Sequence, residues 1–244
     1  LFAGNASLTL HDAQEAKYAH IVDALGLRPG MRVLEIGCGW GGFAMHAARR
    51  GVHVHGVTIS PSQLALARER IADAGLEDRV TLALCDYRDL ADTYDAVVSI
   101  EMFEAVGEQW WPTYFSTVAR ALKPGGKTVI QSITIRDDLF ASYRRGTDFI
   151  QQYIFPGGML PSRSVFRKTA EGQGLQVTDE FAFGLDYART LAAWRAAFET
   201  NWTQIATLGF DEDFRRLWRF YLHYCEAGFL AGNIDVVQFE LAHR

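Results

Sequence analysis

The residues best suited to chemistry begin with an acid, Glu35, two positions before a dense run of glycines, Gly37, Gly39, Gly41 and Gly42. The apolar stretch 33–36 runs straight into that turn, and residues 43–50 then read as a helix. A strand-to-helix turn this rich in glycine lets backbone approach a ligand, and the helix N-terminus beyond it favours negative charge. Gly37, Gly39 and Gly42 satisfy the Gly-x-Gly-x-x-Gly spacing of dinucleotide sites, which expect an acid roughly 20 positions on for the ribose. Here Gly56-Val57-Thr58-Ile59-Ser60 ends the second strand with no acid. Thr58 and Gln63 are the polar groups near that edge that could replace it. Asp86, with Tyr87 beside it, follows the third strand and could accept a hydrogen bond from an adenine amino group; its alternative is a solvated loop acid. Glu101 and Glu104 end the fourth strand, as candidates for acid–base work or as surface acids opening a helix.

Those groups meet only if the chain brings its strand ends to one edge. Residues 12–27 suit an amphipathic helix ended by Pro29-Gly30. Strands are expected at 32–36, 52–57, 80–84, 96–100 and 127–135. Helices fall between them at 42–50, from Pro61 behind a Ser60 cap to about Ala74, and at 110–122. Alternation of this kind implies a parallel, doubly wound α/β sheet. After Arg136 the pattern changes. Residues 137–154 read as one helix, Pro156-Gly157-Gly158 breaks it, and a short helix starts near Arg163. Two more strands are expected at 175–183 and 234–241, which makes seven in a mostly parallel sheet. Between them an insert, 187–232, reads as two helices rich in aromatic residues. The simplest organisation is a single domain over 1–244, with helical, aromatic inserts at about 137–172 and 187–232 that together wall an elongated apolar pocket.

The 244 residues carry a net charge of -5, which gives no general affinity for nucleic acid or an anionic membrane. Cys38, Cys85 and Cys225 are widely spaced, which argues against a disulfide framework or zinc site and fits a reducing cytosol. No apolar run reaches the roughly 18 residues of a spanning helix. His53 and His55 share a strand face but have no third ligand, so sheet packing is the expectation and no metal site is assigned. Arg136, Arg144, Arg145, Arg163, Arg167 and Lys168 form a solvated face or, beside an aromatic pocket, a seat for lipid phosphate.

An acid two residues before the first glycine, with no acid on strand two, resembles the Glu/Asp-x-Gly-x-Gly pattern of class I S-adenosylmethionine (AdoMet) methyltransferases, a Rossmann-like fold. Further stretches narrow the resemblance. Residues 33–42, 56–60, 85–89, 102–107, the Phe155-Pro156-Gly157-Gly158-Met159-Leu160-Pro161 block and Asp186-Tyr187 look like the cyclopropane-fatty-acyl-phospholipid synthases and mycolic acid cyclopropane synthases. The resemblance covers nearly the whole chain, and implies that Leu1 lies inside the family's usual N-terminal region. It implies AdoMet bound by Glu35, Gly37, Cys38, Gly39, Gly41, Thr58, Gln63, Asp86 and Tyr87. It also implies attack of a cis alkene on the AdoMet methyl, a carbocation on the acyl chain, and removal of a proton from the new methyl so that a cyclopropane closes. The family's base is a bound bicarbonate, and its site falls here on Cys38, Glu104, Gln131, Tyr187 and Cys225.

Gln131 departs from the family, which has histidine there. A neutral amide holds an anion less strongly, so weaker dependence on bicarbonate is expected. A carboxylate could take over the anion's role, with Glu104 the nearest candidate by sequence and Glu101 behind it. The function so implied is methyl transfer to an unsaturated fatty acyl chain, as in a phospholipid, by a cytoplasmic enzyme in peripheral membrane contact. The alternatives are a methyl- or methylene-branched product, methylation of a small amine, or a non-catalytic lipid- or AdoMet-binding protein. The oligomeric state stays open.

Overall fold

The structure, a computed structural model, describes residues 1–5 and 7–244. Seven strands form one sheet in the order β3-β2-β1-β4-β5-β7-β6. They are β1 (Arg32–Ile36), β2 (His53–Thr58), β3 (Val80–Leu84), β4 (Tyr94–Ile100), β5 (Leu122–Ile135), β6 (Leu175–Ala182) and β7 (Ile234–His243). The first five run parallel, and β7 pairs antiparallel with both β5 and β6. Strands β1 and β4, central and covered on both faces, are almost wholly buried, as parallel strands in such sheets are.

The helices on the two faces are α1 (Leu10–Ala24), α2 (Gly42–Ala48), α3 (Pro61–Asp73), α4 (Trp111–Ala121) and α7 (Arg163–Glu171). Local signals set their ends. Thr9 and Asp12 form a reciprocal capping box at α1, and the Ser60 hydroxyl caps α3, which carries Pro61 in its first turn. One core lies under α1, α2 and α3, around Ile21, Phe43, Val54 and Ile71. A second is aromatic: Phe103, Trp111, Tyr114, Phe115, Phe166 and Phe239 are all buried, with Phe166 stacked on Phe239 at 4.0 Å between ring centroids. Fully burying each phenylalanine contributes about 1.5–3 kcal/mol, so this cluster anchors α4 and α7 to the sheet.

Three segments differ from the sequence reading. The expected helix 137–154 is two, α5 (Asp137–Arg145) and α6 (Phe149–Tyr153), because Gly146 adopts an extended conformation and Asp148 forms a new capping box with Gln151. Between β6 and β7 there are three helices where two were expected: α8 (Gly184–Thr200), α9 (Trp202–Thr207) and α10 (Glu212–Leu230). The fifth strand, expected from 127, begins at Leu122, and residues 123–126 form an irregularity of its ladder, where pairing jumps from Tyr94↔Leu122 to Ala96↔Lys127. Aromatic contacts join the two inserted regions, with Phe149 on Phe220 at 4.6 Å and Phe155 on Tyr221 at 6.2 Å. His53 is exposed, and His55 pairs with the Tyr94 hydroxyl at 2.6 Å. Among the described residues no helix is long and apolar enough to cross a membrane.

Candidate functional site

The carboxyl ends of β1 to β4 carry the candidate residues, at the edge where open α/β sheets bind ligands. Gly37, Gly39 and Gly41 all have positive φ, at +79, +50 and +78. A side chain on Gly37 would strike Met102 at 2.8 Å, whereas beside Gly39 there is open space. The turn is therefore closed beneath and open above, a cradle that a side chain at position 39 would fill. Around it, Ile59 and Leu84 are 75% and 56% exposed at the ends of β2 and β3, apolar surface suited to the faces of a planar ring. Helix α1 closes one side, since a Cβ on Gly42 would lie 2.5 Å from the Tyr18 hydroxyl.

Glu35 is buried, with Oε2 unpaired. Burial pushes its carboxyl up to about 8, against the attraction of Lys17 and the Ala44 amide. Thr58 and Gln63 join by a 3.2 Å hydrogen bond at the end of β2. Asp86 is held from the side by Arg88, whose Nε and Nη2 donate at 2.9 and 2.7 Å, and this pairing keeps its carboxyl below the ordinary range. Tyr87 packs beside it against the aromatic core.

The second group differs most from its expected form. Glu101, not Glu104, meets Gln131 and Tyr187: Gln131 Nε2 donates to Glu101 Oε1 at 2.6 Å, and the Tyr187 hydroxyl to Oε2 at 2.5 Å. Burial, with Glu101 adding to it, drives the Tyr187 hydroxyl well above its ordinary value, so it serves as a donor. Glu101 has φ +51, a left-handed conformation costing a non-glycine residue about 1–2 kcal/mol. That turn aims its side chain across the end of β5. Glu104 instead accepts from Ser132 Oγ at 3.0 Å and from the Ile133 amide, with Oε2 buried and unpaired. The glycine block fixes this loop, since the Met159 amide donates to the Glu104 carbonyl at 2.9 Å.

Cys38 and Cys225 are both tied into packing. The Cys38 amide already donates to the Val57 carbonyl at 3.0 Å, and its thiol, pushed up to about 12 by burial, packs in the core against Gly56. Cys225 packs in the cluster that holds Tyr187, Trp218 and Tyr221, its thiol likewise pushed up to about 12 by burial.

Lys17, which the sequence reading passed over, is buried within reach of the fields of both Glu35 and Glu101, and burial lowers its affinity for a proton. The signal was present: Ala13, Lys17 and Ile21 lie four apart on the buried stripe of α1, with a lysine where an apolar residue belongs. Gln238, on β7, was also missed, because nothing in its local sequence marks it.

Burial, with repulsion from Glu101 second, pushes Glu104 up to about 7. The folded protein therefore holds this proton more tightly than the unfolded chain, whose ordinary value is 4.5, so stability falls as pH rises through 4.5–7. Between pH 5 and 8, the wild type should lose of the order of 3 kcal/mol more stability than Glu104→Gln. Denaturant titrations at both pH values check this; parallel losses would contradict it.

A twisted sheet in this order, with a glycine turn after β1, defines the class I AdoMet methyltransferase fold. Residues 2–239 match the mycolic acid cyclopropane synthetase family, and the chain belongs to it. It is 45% identical over 230 residues to a tuberculostearic acid methyltransferase of Mycobacterium tuberculosis, covering 94% of this chain and 54% of that protein. With the cyclopropane-fatty-acyl-phospholipid synthase of Escherichia coli it shares 42% identity over 231 residues, covering 94% and 58%. The chain thus spans a little over half the length of these relatives. A crystal structure of a mycolic acid cyclopropane synthase complexed with SAH and CTAB superposes with a TM-score of 0.89 at 32% identity, over 97% of this chain and 86% of that one.

Proposed function

We propose that this chain is an AdoMet-dependent transferase that places a methyl carbon on the double bond of an unsaturated fatty acyl chain, and that Glu101 is its built-in base. The observation that carries this reading is the carboxylate of Glu101 held between Gln131 and Tyr187, where the family resemblance puts a bicarbonate. AdoMet, when bound, supplies an electrophilic methyl group, and its leaving sulfur carries away the bonding electrons while the acyl chain becomes cationic. Gly37, Gly39 and Gly41 would offer it backbone, Thr58 and Gln63 would hold the ribose, and Asp86 and Tyr87 would border the adenine. Glu35, buried with Oε2 unpaired, would hold the amino-acid tail. Glu101 removes one proton from the cationic chain, and the electrons of that C–H bond quench the cation. Tyr187 and Gln131 hold the carboxylate in place, and such positioning contributes more than basicity. Aromatic side chains from α6 and α10 wall the acyl pocket within one domain and stabilise positive charge without reacting with it.

A proton taken from the new methyl closes a cyclopropane, the default product; one taken from a neighbouring chain carbon leaves a branch with a new double bond. The 45%-identical relative, named a methyltransferase, favours keeping the branched product as the second reading. The substrate lies in a bilayer, so membrane contact is peripheral. Incubating the protein with AdoMet and vesicles of a monounsaturated phospholipid, then analysing the lipids, tests the proposal. A mass gain of one CH2 is expected, with NMR separating ring from branch; no gain with any unsaturated lipid would refute it. In bicarbonate-depleted buffer the rate should change less than about twofold on adding bicarbonate, because the base is already covalently in place. Strong stimulation would remove Glu101 from the role.

A further inference from the structure

Behind Glu101 the sheet carries a cross-strand row with two buried amides at its centre. Ile100, Gln131, Gln238 and Phe181 are successive cross-strand partners on β4, β5, β7 and β6. Gln131 and Gln238 are both buried, at 0% and 3% exposure, so each amide needs its partners inside the protein. The Lys17 carbonyl can only accept, and it faces Gln238 Nε2 at 3.5 Å, which fixes the direction of that amide. The same Nε2 donates to Gln131 Oε1 at 3.0 Å. Gln131 must then present its own Nε2 to Glu101, as it does at 2.6 Å. At the far end Gln238 Oε1 accepts from His20 Nδ1 at 2.6 Å, and the His20 ring stacks on Phe181 at 4.1 Å.

We propose that Gln238 and His20 are positioning residues for the Glu101 base: they lock the Gln131 amide so that its N–H, never its carbonyl, faces the carboxylate. This inference rests on Glu101 being the base. From His20 through Gln238 and Gln131 each side chain donates to the next one toward Glu101, so the row orients the carboxylate. Neutral amides do not pass a proton along, so it is not a route for proton escape. Without Gln238 the buried Gln131 Oε1 loses its donor, and only Glu101 still orients the amide. An amide that turns to find a new partner for that oxygen withdraws its N–H from Glu101, and the carboxylate loses one of its two fixed donors.

A double-mutant cycle tests the idea, with kcat, KM for the lipid, AdoMet affinity and Tm measured for each protein. Gln238→Leu should lower kcat about tenfold while AdoMet affinity stays within about twofold. In a Gln131→Leu background the same substitution should cost less than about twofold, because its effect passes through Gln131. His20→Phe, which keeps the stack on Phe181, should cost about threefold in the wild type and nothing in the Gln131→Leu background, and it serves where Gln238→Leu does not fold. Equal losses in both backgrounds, or no loss in the wild type, would overturn the proposal. Glu101→Gln separates the two levels of the argument: full activity in that variant removes the base assignment, whereas its loss alongside additive effects of Gln238→Leu removes only the positioning row.

Discussion

Glu101→Gln is expected to lower kcat about a thousandfold, within the range contributed by a positioned general base, while leaving AdoMet affinity within about threefold. The amide still accepts from Tyr187, but it cannot take a proton. Glu101→Asp should keep part of the activity, because the carboxylate survives about one methylene short of its place. The backbone supplies a sharper version of the experiment. Glu101 stands at φ +51, so Glu101→Gly should relieve about 1 kcal/mol of conformational cost while emptying the site. Its two donors, Gln131 Nε2 and the Tyr187 hydroxyl, then face a space the size of a carboxylate. Bicarbonate added to Glu101→Gly should restore measurable turnover and should do nothing for Glu101→Gln, where the space is filled. An active Glu101→Gln protein would show that the proton leaves by another route. Glu104→Gln should act mainly on stability, since Ser132 and the Ile133 amide hold that carboxylate away from the Glu101 cluster.

Gly37→Ala should cost both stability and cofactor binding. The new Cβ would sit 2.8 and 2.9 Å from Met102 Cγ and Cβ, at a residue whose φ is +79. Overpacking of about 1–3 kcal/mol adds to a left-handed penalty of about 1 kcal/mol. For a chain of this length that corresponds to a fall in Tm of roughly 5–10 °C. Met102 directly follows Glu101, so relief of the clash also displaces the base. AdoMet affinity should drop at least tenfold by isothermal titration, at an expected cost of about 1.4 kcal/mol or more. Gly39→Ala is the matching control, because its Cβ meets only open space. That variant keeps the left-handed penalty of about 1 kcal/mol, at φ +50, but escapes the clash, so it should lose less Tm yet bind AdoMet as poorly, since its methyl occupies the cradle. If Gly39→Ala binds normally, the ligand does not lie against this turn.

Much of the architecture was legible because its signals are local. The glycine run after residues 33–36 admits only a tight turn, Ser60 with Pro61 can hardly do other than start a helix, and alternating strands and helices leave few topologies. The seven strands and the edge that gathers Glu35, Thr58, Asp86 and Glu101 follow from those signals. Local signals failed where a contact distant in sequence decided the outcome. Nothing near Glu101 and Glu104 says which of them turns inward. That was settled by the left-handed backbone at Glu101 and by Ser132 and Ile133, which capture the other acid. Lys17 drew no reading from the sequence, and its place was decided when α1 docked with its 13-17-21 stripe buried. Gln131 and Gln238 lie 107 positions apart and became partners only when β7 inserted antiparallel beside β5. Residue types thus determined the chemistry available to this chain, while register and helix docking, which depend on long-range burial, decided which carboxylate is in position to use it.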